Sequence, residues 1–207
     1  RMKRVWEMPE AGVNLPNSLL LRPALPAEQA QLCTLAAAVA AARAIEDCGL
    51  PARIKWPNDV VIGSRKCVGI LSEMVADMDG VQFIVMGVGF NVNQRAFPEE
   101  LKQKATSLLL EKGETVPRGT LLLRYLSHME EAMEQLESGG MAALMPDYLS
   151  RSVTLGSRVE VIGTAERFVG QADGLDETGA LLVTDDEGRR RRVLSADVSV
   201  RGVMGYV

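Results

Sequence analysis

The apolar and polar positions follow one texture up to about residue 150 and another beyond it. Residues 14–22 (NLPNSLLLR) end in an apolar run closed by Pro23, the pattern of a strand leaving a loop. Residues 26–48 are Ala-rich, with Gln and Glu in the first turns and Gly49 just past the end, which predicts a long helix with a glycine stop. Two apolar runs, 59–62 and 67–71, flank Gly63-Ser64-Arg65-Lys66 and predict a hairpin. Residues 81–92 (VQFIVMGVGFNV) read as a buried strand that turns glycine-rich at its far end. Residues 98–113 are loop-like, with a short helical stretch near Leu108. From 118 to 136 leucines, Met129 and Met133 fall at helical spacing; Gly139-Gly140 ends that helix and a shorter one follows over 141–149.

After Ser150 short alternating segments replace these patterns, at 158–162, 167–173, 180–184, 191–194 and 198–200, punctuated by Gly163, Gly174, Gly179 and Gly188. Five short strands in so few residues predict a small antiparallel barrel. The expected boundary lies near Ser152, giving domains over 1–151 and 152–207. There is no internal repeat.

Composition narrows the function classes without choosing one. An apolar fraction of 47% and a charged fraction of 24% exclude a disordered or fibrous chain. A net charge of −4 argues against a protein whose main business is wrapping nucleic acid, although Arg189 to Arg192 form one basic run. Cys33, Cys48 and Cys67 have no CxxC spacing, so neither a disulfide framework nor a zinc site is expected, and a reducing cytoplasm is the simplest compartment. The longest apolar run, 32–42, contains Thr34, is soon broken by Arg43, and is too short to span a bilayer.

Three clusters carry candidate chemistry. The first is residues 52–73, ARIKWPNDVVIGSRKCVGILSE. Lys55, Asn58, Asp59 and Lys66 are expected on two adjacent strands joined by a tight turn, a spacing that can bring several of them around one polar pocket. Pro57 removes a backbone donor and biases Trp56 toward an extended conformation, and Gly69 in mid-strand marks a close approach to the backbone. The alternative is a surface hairpin with solvated lysines and a structural Trp-Pro. The second cluster is Gly87-Val88-Gly89-Phe90-Asn91-Val92-Asn93. Its glycines let a flat ring or a phosphate meet bare backbone, or they simply make a strand-end turn. It lacks the third glycine and following helix of a dinucleotide fingerprint, and no GxxxxGK[ST] loop occurs, so any ATP is held by another device. The third is Arg1-Met2-Lys3-Arg4-Val5-Trp6, either an anion clamp or a ragged chain end.

Together these residues resemble the biotin protein ligase family. KWPND followed by RKxxGIL is similar to that family's central signature, GVGFNVN to the glycine-rich strand end after it, and RMKRVW to the second half of its GRGRxxRxW biotin-binding loop. NLPNSLLLRP resembles the strand after that loop, except that Pro16-Asn17 stand where the family commonly has an aromatic or apolar pair. The resemblance covers essentially the whole chain. It implies an α+β fold: a mixed β-sheet with helices mainly on one face, the class II synthetase-like biotin/lipoate ligase catalytic domain, plus a small C-terminal SH3-like β-barrel.

It also implies an activity. ATP activates biotin to biotinyl-5'-AMP with release of pyrophosphate, and biotin then passes to one lysine of a biotin carboxyl carrier protein. The first step presses two anions to roughly 3–3.5 Å. Like charges ~4 Å apart repel by about 4 kcal/mol even at an effective dielectric of 20. Fixed cations and Mg²⁺ must offset that repulsion. The resemblance assigns Lys66 to the biotin carboxylate and acyl-phosphate oxygens, and Gly69 and Leu71 to the face of biotin. Arg1 and Arg4 would close over the adenylate from the loop, and Trp6 would pack near the adenine. Asn58 and Asn91 are candidates for nucleotide contacts, Lys55 for phosphate or structural pairing, and Arg201 for the nucleotide if the barrel packs over the site. Asp59 either orients Lys66 or helps hold Mg²⁺, and it could assist the attacking lysine. His128, in no motif, reads as a surface or packed histidine; Cys67 has no partner for nucleophilic chemistry. Arg189 to Arg192 are either a solvated hairpin or a contact for ATP or an acidic carrier domain.

The first half of GRGR and the strand before it are not in this sequence, and a protein beginning at Arg1 is expected to bind biotin poorly. DNA enters only if a helix-turn-helix precedes this stretch, and the expected state is a monomer or homodimer without membrane association. Two rivals remain: a lipoate-type acyl-adenylating ligase, and a biotin-sensing repressor that uses the adenylate as corepressor.

Overall fold

The computed structural model describes residues 11–78, 80–163, 167–195 and 198–202. Strand β1 (Leu15–Leu21) leads through a single 3-10 turn (Ala27–Gln29) into helix α1 (Gln31–Glu46). Strands β2 (Ala52–Lys55), β3 (Asp59–Ile62), β4 (Arg65–Asp77) and β5 (Gly80–Phe90) follow, then the short helix α2 (Leu108–Lys112). Helix α3 (Arg118–Arg151) is interrupted at Gly140, where φ 60 and ψ −153 leave the helical region. That conformation is open to glycine and costly for residues with a Cβ, so the expected break between two helices is real. Strands β6 (Arg158–Gly163), β7 (Arg167–Leu175), β8 (Leu181–Asp185), β9 (Arg190–Val193) and β10 (Val198–Gly202) complete the chain.

The first sheet has the order β1-β5-β4-β3-β2 and the second β10-β6-β7-β8-β9. Every ladder between these strands is antiparallel. Among the described residues the parallel pairing of a mixed sheet is present only as two single bridges, Ile54 with Ser152 and Lys66 with Ala105. Strand β2 differs from the sequence reading, which placed no separate element at 52–55. Four residues interrupted by Arg53 are too short to show alternation, and the strand forms because β3 on one side and the 152–153 backbone on the other satisfy it.

Helix α1 explains which sheet face stays open. Its Ala-rich sequence is buried all round, from Leu32 to Ala42 and again at Ala44 and Ile45. Small side chains let it lie close to both the sheet and α3. The inward residues of the central strands, Val68, Ile70, Ile84, Met86, Val88 and Phe90, are correspondingly buried. On the opposite face Leu71 is 51% and Val85 39% exposed. The described helices thus cover one face, as expected. No helix among the described residues is long and apolar enough to cross a membrane.

The arginine run is largely neutralised inside the second sheet. Asp185 Oδ2 accepts from Arg189 Nε at 3.0 Å and from Arg191 Nε at 2.8 Å, while Arg192 pairs with Asp176 and donates to Thr178 Oγ1 at 2.6 Å. Arg191 also lies 4.5 Å over the Phe168 ring. Burial alone would raise the Asp185 carboxyl, but the bonds from Arg191, Arg189 and the Glu187 backbone hold it well below the usual carboxylate range. These pairings favour the solvated-hairpin reading over a contact for ATP or carrier.

Candidate active site

Cross-strand register builds the site. Lys55 pairs with Asp59, Asp59 with Gly69, Gly69 with Gly89, and Gly89 with Pro16. Residues directly opposite in an antiparallel sheet share a face. One row across all five strands therefore lies on the face away from α1, with two adjacent glycines at its centre. The next row, Ser18, Gly87 and Leu71, adds a third glycine. Three glycines together leave a flat floor of bare backbone, walled by Leu71 on one side and by charged groups on the other.

Lys66 reaches this face through an irregularity. It stands three residues from Gly69, so regular alternation would point the two in opposite directions. The register shifts between Val60 and Val61, however: Val60 pairs with Val68, and Val61 with Lys66. The extra residue, Cys67, turns into the core, where its Sγ–H donates to Val60 O at 3.3 Å. The bulge restores parity and swings Lys66 to the open face. There Lys66 Nζ stands 2.5 Å from Asp59 Oδ1, with side-chain exposures of 27% and 14%. A half-open ammonium held by a more buried carboxylate is a pre-aimed cation.

The other expected residues divide. Lys55 is buried at 6% exposure on the same row as Asp59. Asn58 donates through Nδ2 to Ile70 O at 2.7 Å and accepts from Ile70 N at 3.0 Å through its own carbonyl, bracing β4. Asn91, which is buried, likewise donates through Nδ2, to Thr106 O at 3.1 Å. Each asparagine thus spends a side-chain donor on the backbone, a use the motif alone did not suggest. Trp56 precedes a cis bond to Pro57, and its indole N–H donates to Gly179 O, 3.1 Å away in the turn between β7 and β8. Arg201 is exposed on the edge strand β10 opposite Glu160, and no hydrogen bond or ion pair among the described residues joins it to the first sheet. Arg1, Arg4 and Trp6 lie outside the described residues. His128 bridges helices away from the site, with Nε2 2.8 Å from Asp47 Oδ2. Cys67 is buried and its thiol pushed up by burial, as an inert packing residue should be.

Among the described residues no three His, Cys, Asp or Glu side chains converge as a metal cluster. Magnesium commonly needs less, taking one or two carboxylates together with substrate phosphates and water. Asp59, with its hard oxygens at the edge of the glycine floor, fits that limited demand.

Residues 1–91 match the Biotin/lipoate A/B protein ligase family, and residues 154–201 match the biotin protein ligase C terminal domain. The chain is 37% identical over 203 residues to the bifunctional ligase/repressor BirA of Bacillus subtilis, covering 97% of this chain and 62% of that protein. It therefore spans about three fifths of the length of that relative. It is 34% identical to the biotin–[acetyl-CoA-carboxylase] ligase of Paracoccus denitrificans, over 92% of this chain and 81% of that one. The crystal structure of the biotin protein ligase from Aquifex aeolicus superposes with a TM-score of 0.81 at 30% identity, over 92% of this chain and 82% of that one. A structure of the same Aquifex protein in complex with biotin and ATP gives a TM-score of 0.79. With one relative matched over most of both lengths and a solved fold to agree, this chain belongs to the biotin protein ligase family.

Proposed function

We propose that this chain carries the activation of biotin by ATP to biotinyl-5'-AMP and its transfer to a specific lysine of a biotin carboxyl carrier protein, in the cytoplasm. The observation that carries this reading is the Lys66–Asp59 pair at the edge of a three-glycine floor. Flat bare backbone suits a bicyclic ligand, and the cation stands where its carboxylate would end. The Paracoccus relative, whose name is that of a ligase for acetyl-CoA carboxylase, supports a carrier protein as acceptor. The match to a C-terminal domain described for biotin ligases favours biotin over lipoate.

In the first step a biotin carboxylate oxygen bonds to the α-phosphorus while the bond to the departing pyrophosphate breaks. Lys66 offsets the repulsion between the two anions, and Asp59 holds its ammonium in line. Arg1 and Arg4 would close from the loop and exclude water, and Trp6 would pack near the adenine. Lys55 supplies a second cation, while Asn58 and Asn91 keep the strand ends in register beneath the nucleotide. Arg201 is the candidate nucleotide contact of the second sheet. A magnesium ion held by Asp59 and the phosphates would add charge stabilisation. In the second step a neutral carrier lysine attacks the mixed anhydride carbon, AMP leaves, and the nitrogen loses its proton. The domains that share this work are residues 1–151, holding biotin and ATP, and 152–207.

Pyrophosphate release followed in the full-length protein with ATP and Mg²⁺ tests the reading. Release that depends on biotin supports it; no response to biotin sinks it, and a response to lipoate moves the chain to the sister activity. A second expected result concerns the floor. Gly69→Val adds an isopropyl group where biotin would lie, and overpacking of about 1–3 kcal/mol corresponds to roughly fivefold to 150-fold weaker biotin binding. A calorimetric titration giving wild-type affinity for this variant would remove the floor from the site.

A further inference from the structure

The residues between β5 and α2, loop-like in sequence, contain a device aimed at Lys66. Lys66 N donates to Lys104 O at 2.8 Å, and Thr106 N donates to Lys66 O at 2.9 Å. The lysine backbone is therefore gripped from both ends by a segment that belongs to neither sheet, through a parallel bridge at Ala105.

Thr106 is the centre of the grip and is completely buried. Its N–H goes to Lys66, its carbonyl accepts from Asn91 Nδ2 at 3.1 Å, and its hydroxyl donates to Glu111 Oε1 at 2.5 Å. The same Glu111 oxygen accepts from Arg65 Nη2 at 2.7 Å, the side chain next to Lys66. Asn91 is joined to β4 again through its own N–H, which donates to Cys67 O at 2.8 Å. Ser107 caps α2 by accepting from Leu110 N at 3.2 Å, and Glu111 follows on that helix.

A threonine that merely closed a loop would bond its own neighbouring backbone. Here three polar groups of one residue run to three separate parts of the chain, and two of the partners are the lysine and the asparagine of the candidate site. A hydroxyl bonded to a carboxylate is also among the stronger hydrogen bonds.

We infer that Thr106 and Glu111 are positioning residues that hold Lys66 and Asn91 in a fixed relation, so that biotin's carboxylate and the nucleotide are gripped together. This rests on the ligase activity proposed above. It deepens that reading by naming two residues outside every motif.

The test is steady-state kinetics of biotin-dependent pyrophosphate release in the full-length protein, for wild type, Thr106→Val, Thr106→Ser and Glu111→Ala. Losing one hydrogen bond to a charged acceptor is worth about tenfold, so Thr106→Val should raise KM for both biotin and ATP by that factor. Thr106→Ser, which keeps the hydroxyl, should stay within about twofold of wild type. A purely structural role would lower the folded fraction, and with it kcat, while leaving both KM values alone. If Thr106→Val does not fold, Glu111→Ala reads the same effect from a partly exposed position. A wild type without biotin-dependent release brings down the activity and this inference with it. An active wild type whose folded variants keep both KM values, or a serine variant as impaired as the valine one, brings down this inference alone.

Discussion

Replacing Lys66 with alanine is expected to cut biotin-dependent pyrophosphate release by roughly a thousandfold, the rate equivalent of about 4 kcal/mol of unopposed repulsion between two anions ~4 Å apart. The fold should survive. Lys66 is held by backbone bonds to Lys104 and Thr106 that do not involve its side chain, and that side chain is 27% exposed. Circular dichroism and a melting curve close to wild type would separate lost chemistry from lost structure. Lys66→Arg should recover part of the rate, since charge is retained but a planar fork replaces a compact ammonium. Asp59→Asn should fall between wild type and Lys66→Ala, because it removes the group that aims the cation and leaves the cation in place. Release by Lys66→Ala within tenfold of wild type would take Lys66 out of the site.

The largest loss of stability is expected at Trp56. Its ring is 1% exposed, its backbone N–H donates to Thr154 Oγ1 at 3.0 Å, and its indole N–H reaches Gly179 O. Gly179 sits in a turn at φ 82, and a Cβ there would stand 2.8 Å from Leu35 Cδ1, so the turn presses on α1 as closely as a glycine allows. Trp56→Ala should cost about 3–5 kcal/mol, a large share of the stability of an ordinary domain. At 150–250 residues that corresponds to a midpoint roughly 6–20 °C lower in thermal unfolding. Trp56→Phe is the discriminating control. It keeps most of the apolar volume and removes only the indole donor, while Gly179 O still accepts from Gln31 Nε2 at 2.9 Å. That carbonyl is not left unsatisfied, so the cost should be near 1 kcal/mol. A phenylalanine variant as unstable as the alanine one would mean that the hydrogen bond, not the buried ring, holds the second sheet against the motif strand.

Much of this protein was legible from local pattern. The strand before Pro23, the Ala-rich helix, the hairpin at Gly63, the helix break at Gly140 and the five short strands after Ser152 all follow from periodicity and from glycine and proline placement. Those signals act over a few residues, so a linear reading captures them. The pairing of Lys66 with Asp59 was foreseen only as one of two roles, because a spacing of seven residues across a turn leaves the register free by one or two positions. Tertiary structure decided that register. The bulge at Val60–Val61 sets on which face Lys66 emerges, and no local signal marks it, because Cys67 fits the core and the strand equally well. The uses of Asn58 and Asn91 were hidden for a related reason: an amide looks the same in sequence whether it faces a ligand or a backbone carbonyl. Thr106 and Glu111 left no trace in any motif, since their partners are brought to them by a loop whose path depends on everything packed around it. By itself, then, the sequence determined the elements, the family resemblance and the residue types of the site. Which side chains share a face, and what holds them there, came from long-range hydrogen bonds and from one irregular step in the sheet, contacts between residues that chain order keeps apart.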